Sequence, residues 1–267
     1  MSDILFRSII GGRNVPTMAL VTYLIAVIAW VAIVARWLPM PGGNGMAMEM
    51  SAPGVPEAMA LASGPSGILL YLFMWGVMMI AMMYPSSVPL FRFYSRTLAG
   101  TTKLGKAARL STFMGAYALV WALTGIIPLV VNAVVPIANL ATERGSVLIG
   151  GTLILVAAYQ LSPYKHRCLK YCRTPFGFLM EYNQPGIRGA AQMSFRFSMF
   201  CVGCCWALFA LMVVVGSMNL LWMAGITVVL SLERVIDRGD VLARAVGIIA
   251  GVAGAITLGL TVGGVGL

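Results

Sequence analysis

The chain has 267 residues, of which 60% are hydrophobic and 10% charged, and its mean hydropathy is +0.92. Soluble globular domains carry roughly 25% charged residues, so this composition excludes a soluble protein and predicts a single integral membrane domain over residues 1–267. The net charge of +10 does not indicate a nucleic-acid partner, because the basic residues lie between apolar runs, where they set membrane topology. The expected surroundings are a lipid bilayer.

Apolar runs of helical length recur along the chain and predict an all-α, polytopic membrane helical bundle of about seven transmembrane helices. The first run is too long for the core of a signal peptide, and no cleavage motif follows it, so it is predicted to stay as an anchor. Pro85 and Pro89 are expected to kink or end the second helix, because each removes a backbone donor. The sixth run is short for a bilayer that needs about 20 residues. The predicted spans are at about 18–37, 67–91, 110–131, 147–161, 198–216, 220–232 and 245–262.

The distribution of lysine and arginine between the spans predicts the orientation. If the N-terminus lies in the cytoplasm, all of the 18 basic residues except Arg36 and Arg144 fall on the cytoplasmic side. The positive-inside rule therefore predicts an N-in/C-out protein with seven spans. In this orientation all five cysteines lie towards the cytoplasm, where thiols stay reduced.

The cysteines form two groups with helical spacing. At the start of the fifth span, Cys201 faces both Cys204 and Cys205, at i+3 and i+4, so the three thiols share one stripe of the helix. Cys168 and Cys172 are four residues apart in the preceding basic stretch, where positive charge is expected to lower the pKa of a thiol. Thiolates select Cu(I) and other soft metals, so all five are candidate metal ligands. The competing interpretation is that buried cysteines pack as small apolar side chains.

The second span holds a further group of soft ligands. Met78 and Met82 lie on one i, i+4 ladder, and Met79 and Met83 form a second ladder beside it. The rise of 1.5 Å per residue puts the inner end of these ladders near the depth of the cysteines in the fifth span. We therefore predict that the two groups share one soft-metal site, although methionine is also an ordinary filler of apolar cores. The loop before this span carries three more methionines that could pass a soft cation inward: Met46, Met48 and Met50.

Other cofactor and enzyme classes lack their signatures. His166 is the only histidine, which excludes a multi-histidine copper or iron site and a bis-histidine haem, and leaves haem ligation by Met and Cys open. The chain has no phosphate-binding loop, no dinucleotide motif and no hydrolase or metalloprotease motif, so we expect a binding protein more than an enzyme. Gln160 and Glu233 are the polar residues predicted to face the bundle. Glu233 is expected to pair with Arg234 or Arg238.

Four stretches together resemble the DUF2182 family, a group of bacterial membrane proteins described as predicted metal-binding integral membrane proteins. They are WGVMMIAMMYP (75–85), YQLSPYKHRCLKYCRTP (159–175), CVGCCW (201–206) and MNLLWM (218–223), and the resemblance extends from about Gly67 to the C-terminus. It implies metal binding and a multi-pass location in the bacterial inner (cytoplasmic) membrane, and it places a family acidic position at Glu233. The positions that it implicates are Cys168, Cys172, Cys201, Cys204, Cys205, Met78, Met79, Met82, Met83 and Asn219.

Three functions fit these features. The leading prediction is a membrane protein that handles a soft metal, with copper as Cu(I) the predicted ion, by binding it, transporting it or delivering it to a copper enzyme. The second is a thiol-redox membrane protein that cycles Cys201 and Cys204 with Cys168 and Cys172. The third is a non-catalytic structural subunit of a larger membrane complex, in which the sulfur-containing side chains only pack.

Overall fold

The computed structural model describes residues 17–38 and 51–262, and within these ranges every regular element is a helix. The all-α prediction is therefore confirmed. The predicted outer loop with Met46, Met48 and Met50 lies outside the described residues. In chain order the helices are α1 Thr17–Val34, α2 Val55–Ala62, α3 Gly64–Thr97, α4 Lys103–Leu123, α5 Ile126–Val134, α6 Ile137–Gln160, α7 Pro163–Arg173, α8 Pro175–Tyr182, α9 Gly186–Gly216, α10 Leu220–Val235 and α11 Gly239–Val262.

Six helical stretches of the described chain are long and apolar enough to cross a membrane: α1, α3, α4 together with α5, α6, α9 and α11. The helix at the predicted sixth span, α10, has 16 residues. At 1.5 Å per residue it is about 24 Å long, which is short for a hydrocarbon core of about 30 Å. Six of the seven predicted spans thus correspond to helices of sufficient length, and a crossing at 220–232 stays a prediction.

The outward faces of these helices are apolar. Large hydrophobic side chains are exposed along α1, α5 and α11, among them Ile28, Val134 and Ile249. Water-exposed surfaces of monomeric proteins rarely carry continuous apolar patches of this extent. The faces are therefore suited to contact with lipid.

Helix α3 continues through both of its prolines, as the predicted span 67–91 requires, so of the two expected effects, a kink or an end, the prolines do not end the helix. Pro85 has no N–H to donate to the carbonyl of Ala81, one turn earlier. The indole Nε1 of Trp30, on α1, donates to that carbonyl oxygen instead, at 3.0 Å. Because the orphaned acceptor finds this partner, the helix tolerates the proline.

Other helices also extend past the predicted spans. Helix α9 begins at Gly186, well before the predicted start at 198. Helix α6 begins at Ile137 but is kinked at Arg144, where the backbone is not helical (φ −140°, ψ 39°), so its part beyond the kink starts close to the predicted 147. The length of an apolar run marks only the part of a helix that a membrane would cover, and the polar ends of both helices continue beyond it.

Two helices form the centre of the bundle. Helix α3 packs against α1, α4 and α10, and α9 packs against α4, α6, α7 and α10. Because α4 and α10 contact both central helices, the methionine-rich and cysteine-rich segments face one common core. At the periphery α6 and α11 approach closely: a Cβ added to Gly254 would lie 2.9 Å from the carbonyl oxygen of Gly150, the close approach that small residues permit between membrane helices.

Candidate metal centre

The local sequence starts α7 in a way that sets the position of its two cysteines. The Oγ atom of Ser162 accepts a hydrogen bond from the backbone N–H of Lys165 at 3.3 Å, and Pro163 occupies the first turn, where its missing donor is not needed. Cys168 and Cys172 follow one turn apart on the same helix. Cys172 is buried and Cys168 is half-buried.

Four cysteines meet in the core, and we call them the cysteine cluster: Cys172, Cys201, Cys204 and Cys205. The Sγ atoms of Cys172 and Cys204 are 3.7 Å apart, which links α7 to α9. The Sγ atoms of Cys204 and Cys205 are 3.2 Å apart. All four are buried free thiols, so the fold gathers four of the five cysteines that the sequence nominates.

A tyrosine anchors one edge of the cluster. The hydroxyl of Tyr117, on α4, lies 3.0 Å from the Sγ atom of Cys201. The same hydroxyl accepts a hydrogen bond from the Oγ atom of Ser87, on α3, at 3.0 Å. Through Tyr117 the position of Cys201 is therefore coupled to both neighbouring helices.

Cys168 lies at the edge of the cluster and corrects one prediction. Its Sγ atom packs beside Gly203, where an added Cβ would come within 2.9 Å of the sulfur. Burial raises the pKa of the Cys168 thiol, and the neighbouring Cys204 raises it further. The expectation that the surrounding basic residues lower its pKa is wrong, because the helix turns this thiol towards α9 and away from those charges.

The most unusual neighbour of the cluster is a buried arginine. Arg234, near the end of α10, is only 6% exposed. Its Nη2 atom lies 2.7 Å from the Sγ atom of Cys205, 3.6 Å from that of Cys204 and 3.7 Å from the Sδ atom of Met83. Its Nη1 atom donates to the Oγ atom of Ser86 at 2.7 Å. One guanidinium thus connects sulfurs from α3 and α9.

Glu233 has a different partner from the predicted one. Its Oε2 atom accepts a hydrogen bond from the Nζ atom of Lys165 at 2.7 Å, and both side chains are 1% exposed. Its Oε1 atom accepts from the Nε2 atom of Gln160 at 3.0 Å. The expected pairing of Glu233 with Arg234 or Arg238 is therefore wrong: the carboxylate joins α10 to α6 and α7, and Arg234 points to the sulfurs.

The four nominated methionines occupy different surroundings. Met83 contacts Arg234, the residue that also contacts Cys204 and Cys205. Met78, Met79 and Met82 are buried in the apolar core of the bundle. The side chain of Arg234 thus links a methionine of the second span to cysteines of the fifth, and the shared metal site that we expected there stays a prediction.

Asn219, which the resemblance implicates, and His166, the single histidine, lie outside the cluster. The side-chain oxygen of Asn219 accepts hydrogen bonds from the backbone N–H groups of Leu221 and Trp222, so this residue caps α10. His166 lines a separate pocket of about 480 Å³ together with Arg173, Asp240 and other residues of α7 and α11. Burial lowers the pKa of His166, and the charge of Arg244 acts in the same direction.

The donor set suits a soft metal ion, because its ligands are sulfur atoms. In residues 17–38 and 51–262, no group of three or more His, Cys, Asp or Glu residues is arranged to hold a metal ion. Sulfur atoms around a tetrahedral ion with bonds of about 2.3 Å would be roughly 3.8 Å apart, and the Cys172–Cys204 pair is close to this at 3.7 Å. Soft ions such as Cu(I) are bound by thiolate and thioether sulfur. A two-coordinate ion holds its ligands on opposite sides, about 4.6 Å apart for bonds of about 2.3 Å, so this pair would have to open by about 1 Å to hold such an ion alone.

The protein is a bundle of long apolar helices. Its centre holds buried thiols, a thioether and a guanidinium, and the sulfur atoms among them are ligands for soft metal ions. The sequence profile of the PpoB2 copper chaperone family matches residues 72–257, which is more than half of the chain and includes every nominated ligand. The protein belongs to this family. No curated protein and no solved structure matches it.

The family match confirms the predicted connection to copper. The matched family is named PpoB2, so the resemblance to DUF2182 stays a prediction. Sequence reasoning did not nominate Arg234 or Lys165 for the centre. One signal in the sequence could have indicated Arg234: the ionisable residues 233 and 234 stand at the end of a short apolar run. Charged residues in or near a membrane core are functional candidates.

Proposed function

We propose that this protein is an integral membrane copper chaperone of the bacterial inner membrane that binds Cu(I) at the cysteine cluster and delivers it to a copper enzyme. The observation that carries the proposal is the approach of Cys172 to Cys204, with their sulfurs 3.7 Å apart, in a member of a copper chaperone family. The six long apolar helices support the membrane location. Copper is the cargo of this protein.

In this proposal Cys172 and Cys204 are the primary ligands, because their sulfurs come from different helices and are spaced for a shared ion. Cys201, Cys205 and Met83 are the neighbouring ligands to which the ion can be transferred. A chaperone must release its metal, and stepwise exchange between adjacent sulfurs moves a soft ion without a free intermediate. Cys172 binds from α7, so a small movement of that helix would change the coordination.

The remaining nominated ligands lie on either side of the cluster in the proposed path. Cys168 is half-buried at the edge of α7 and is proposed as the point of exchange with soluble copper donors. Met78, Met79 and Met82 follow one another along α3 away from the cluster, and thioethers bind Cu(I) weakly enough to release it. We propose that they extend the path towards the opposite side of the membrane.

The proposal includes an N-in/C-out orientation with the cysteines towards the cytoplasm. Reporter fusions after Thr102 and Gly186 are expected to be cytoplasmic, and a fusion after Leu267 is expected to be periplasmic. A cytoplasmic fusion at Leu267, with the other two unchanged, would show that residues 220–232 do not cross the membrane. Alkaline phosphatase and fluorescent-protein fusions at the same positions provide the reciprocal measurement.

Copper content tests the proposed function directly. Protein purified under anaerobic conditions from copper-supplemented cells is expected to retain copper by elemental analysis, and Cys201→Ser/Cys204→Ser is expected to lose most of it. Met83→Leu should reduce retention, and the matched control Met82→Leu should not, since both changes keep volume and apolarity. Equal copper in the wild type and the cysteine variant would refute the site.

The close cysteine pair also fits the thiol-redox alternative, because two sulfurs at 3.7 Å can join in a disulfide after a small shift. Thiol trapping under a mild oxidant separates the two functions. The chaperone proposal expects reduced thiols in cells and protection of the cluster from alkylation by bound copper. A stable disulfide between Cys172 and Cys204 in untreated cells would favour the redox function, and tightly packed thiols with neither metal nor disulfide would favour a structural subunit.

A further inference from the structure

Arg234 is a buried cation whose polar contacts are sulfur atoms and one hydroxyl. It is 6% exposed. Its Nη2 atom contacts Cys205, Cys204 and Met83, and its Nη1 atom donates to Ser86. Its Nε atom is buried and has no hydrogen-bond partner among the described residues. A guanidinium is always protonated and offers only donors, so it cannot itself bind a metal cation.

No carboxylate of residues 17–38 and 51–262 forms an ion pair with Arg234. The described part of the chain contains two ion pairs, Lys165–Glu233 and Arg173–Asp240. The carboxylate of Glu233 is adjacent in sequence, but Lys165 and Gln160 occupy its two oxygens. Burying a charge without a counter-ion costs much free energy. The positive charge of Arg234 therefore lacks a negative counter-ion among its described neighbours. The groups that face it are sulfur atoms.

We infer that Arg234 is the counter-charge of the Cu(I)–thiolate complex, and this inference rests on the proposed function. Cysteine binds metal as the thiolate, so Cu(I) held by two thiolates carries one net negative charge. The guanidinium of Arg234 neutralises that charge, which leaves a neutral complex in a low-dielectric core. Binding changes no oxidation state, and the protons of the two thiols pass to the donor or to water.

In this arrangement Arg234 contacts the sulfur ligands and not the ion itself. Its role is to position the ligands and to select the ion. Its N–H groups donate to the sulfurs of Cys204 and Cys205, and hydrogen bonds of this kind orient and tune metal ligands. Charge balance distinguishes ions of equal softness. Cu(I) and Ag(I) form anionic bis-thiolate complexes, whereas Hg(II) forms a neutral one with the same two ligands. The positive charge of Arg234 therefore favours the monovalent ions.

The test compares these three ions in Arg234→Met and in the wild-type protein, both purified in detergent under anaerobic conditions. Competition with a chromophoric Cu(I) chelator, and with a small dithiol for Ag(I) and Hg(II), measures relative affinity. We expect Arg234→Met to weaken Cu(I) and Ag(I) binding by about 10- to 100-fold, the usual effect of removing an outer partner of a metal ligand. Hg(II) binding is expected to change by much less. Arg173→Met is the matched control, because Arg173 has a carboxylate partner on Asp240.

Two further variants keep the test decisive if Arg234→Met folds poorly. Arg234→Lys keeps the charge and is expected to retain the preference for Cu(I) over Hg(II) with a smaller loss of affinity. Ser86→Ala removes the hydroxyl that holds Nη1 and should weaken Cu(I) binding more than Hg(II) binding. Equal loss for all three ions, in whichever variants fold, would show that Arg234 is only a structural clamp, and unchanged Cu(I) binding would remove its role altogether. If the wild type itself binds no Cu(I), the proposed function fails first, which separates the two failures.

Discussion

Replacing Lys165 with methionine is expected to destabilise the protein by about 3–5 kcal/mol, the cost of leaving one member of a buried ion pair without its partner. Lys165 and Glu233 are both 1% exposed, and their charged atoms are 2.7 Å apart. The variant leaves a carboxylate among α6, α7 and α10 with a single remaining donor, Gln160. Unfolding of the detergent-solubilised protein by titration with a denaturing detergent measures the change in free energy.

The double variant Lys165→Met/Glu233→Met is the control for this effect. Replacing a buried ion pair by well-packed apolar side chains of similar volume is often close to neutral in stability, so most of the lost stability should return. A loss below about 1 kcal/mol in the single variant would contradict the assignment of Glu233 as a buried charge that depends on Lys165. Such a result would mean that water reaches this carboxylate.

Replacing Cys172 with serine is expected to produce the largest loss of Cu(I) affinity among single changes on α7. Cys172 supplies the sulfur that meets Cys204 across two helices, at 3.7 Å. Removing an outer partner of a metal ligand lowers metal affinity by up to about 100-fold. Removing the ligand itself should lower Cu(I) affinity by more than this. The measurement is competition with a Cu(I) chelator under anaerobic conditions, with retained monodispersity in detergent as the check on folding.

Cys168→Ser is the matched control, because it makes the same atomic change one turn earlier on the same helix. Cys168 lies at the edge of the cluster, beside Gly203, and is proposed as a point of exchange, so its replacement should change affinity at equilibrium by less than about 10-fold, the lower effect of removing an outer partner, and slow the exchange of copper with soluble donors. If the two serine variants lose affinity equally, Cys168 is a ligand of the resting site. If neither loses affinity, the ion is held by Cys201, Cys204 and Cys205 without α7.

Much of the centre could be predicted from sequence because its parts are local. The i, i+3 and i+4 spacing of Cys201, Cys204 and Cys205 puts them on one side of a helix whatever surrounds it, and all three are buried in the bundle. The i, i+4 spacing of Met79 and Met83 likewise puts them on one side of a helix, and Met83 is buried in the bundle. How α3 tolerates Pro85 could not be predicted, because the donor that satisfies the carbonyl of Ala81 comes from Trp30, about fifty positions away, at 3.0 Å.

The charged residues mark the limit of local reasoning. Lys165 belongs by sequence to a basic connector, where a lysine is normally solvated, yet it is 1% exposed. Arg234 follows Glu233 directly in the sequence, so an ion pair between these two side chains would be expected. Successive residues of a helix point in directions about 100° apart, so the two side chains face different neighbours: Glu233 faces α6 and α7, and Arg234 faces α3 and α9.

The sequence by itself determined the class of protein, the all-helical secondary structure and the stock of soft ligands, because these follow from composition and from periodicities of a few residues. Only the tertiary structure decided which sulfurs meet, which methionine approaches them and where the buried charges lie. These features depend on contacts between helices distant in the chain, such as Cys172 with Cys204 and Arg234 with Met83. The apolar pattern of each helix shows that it will be buried without specifying its neighbour, and a buried charge has to take its partner from whichever helix the packing brings beside it.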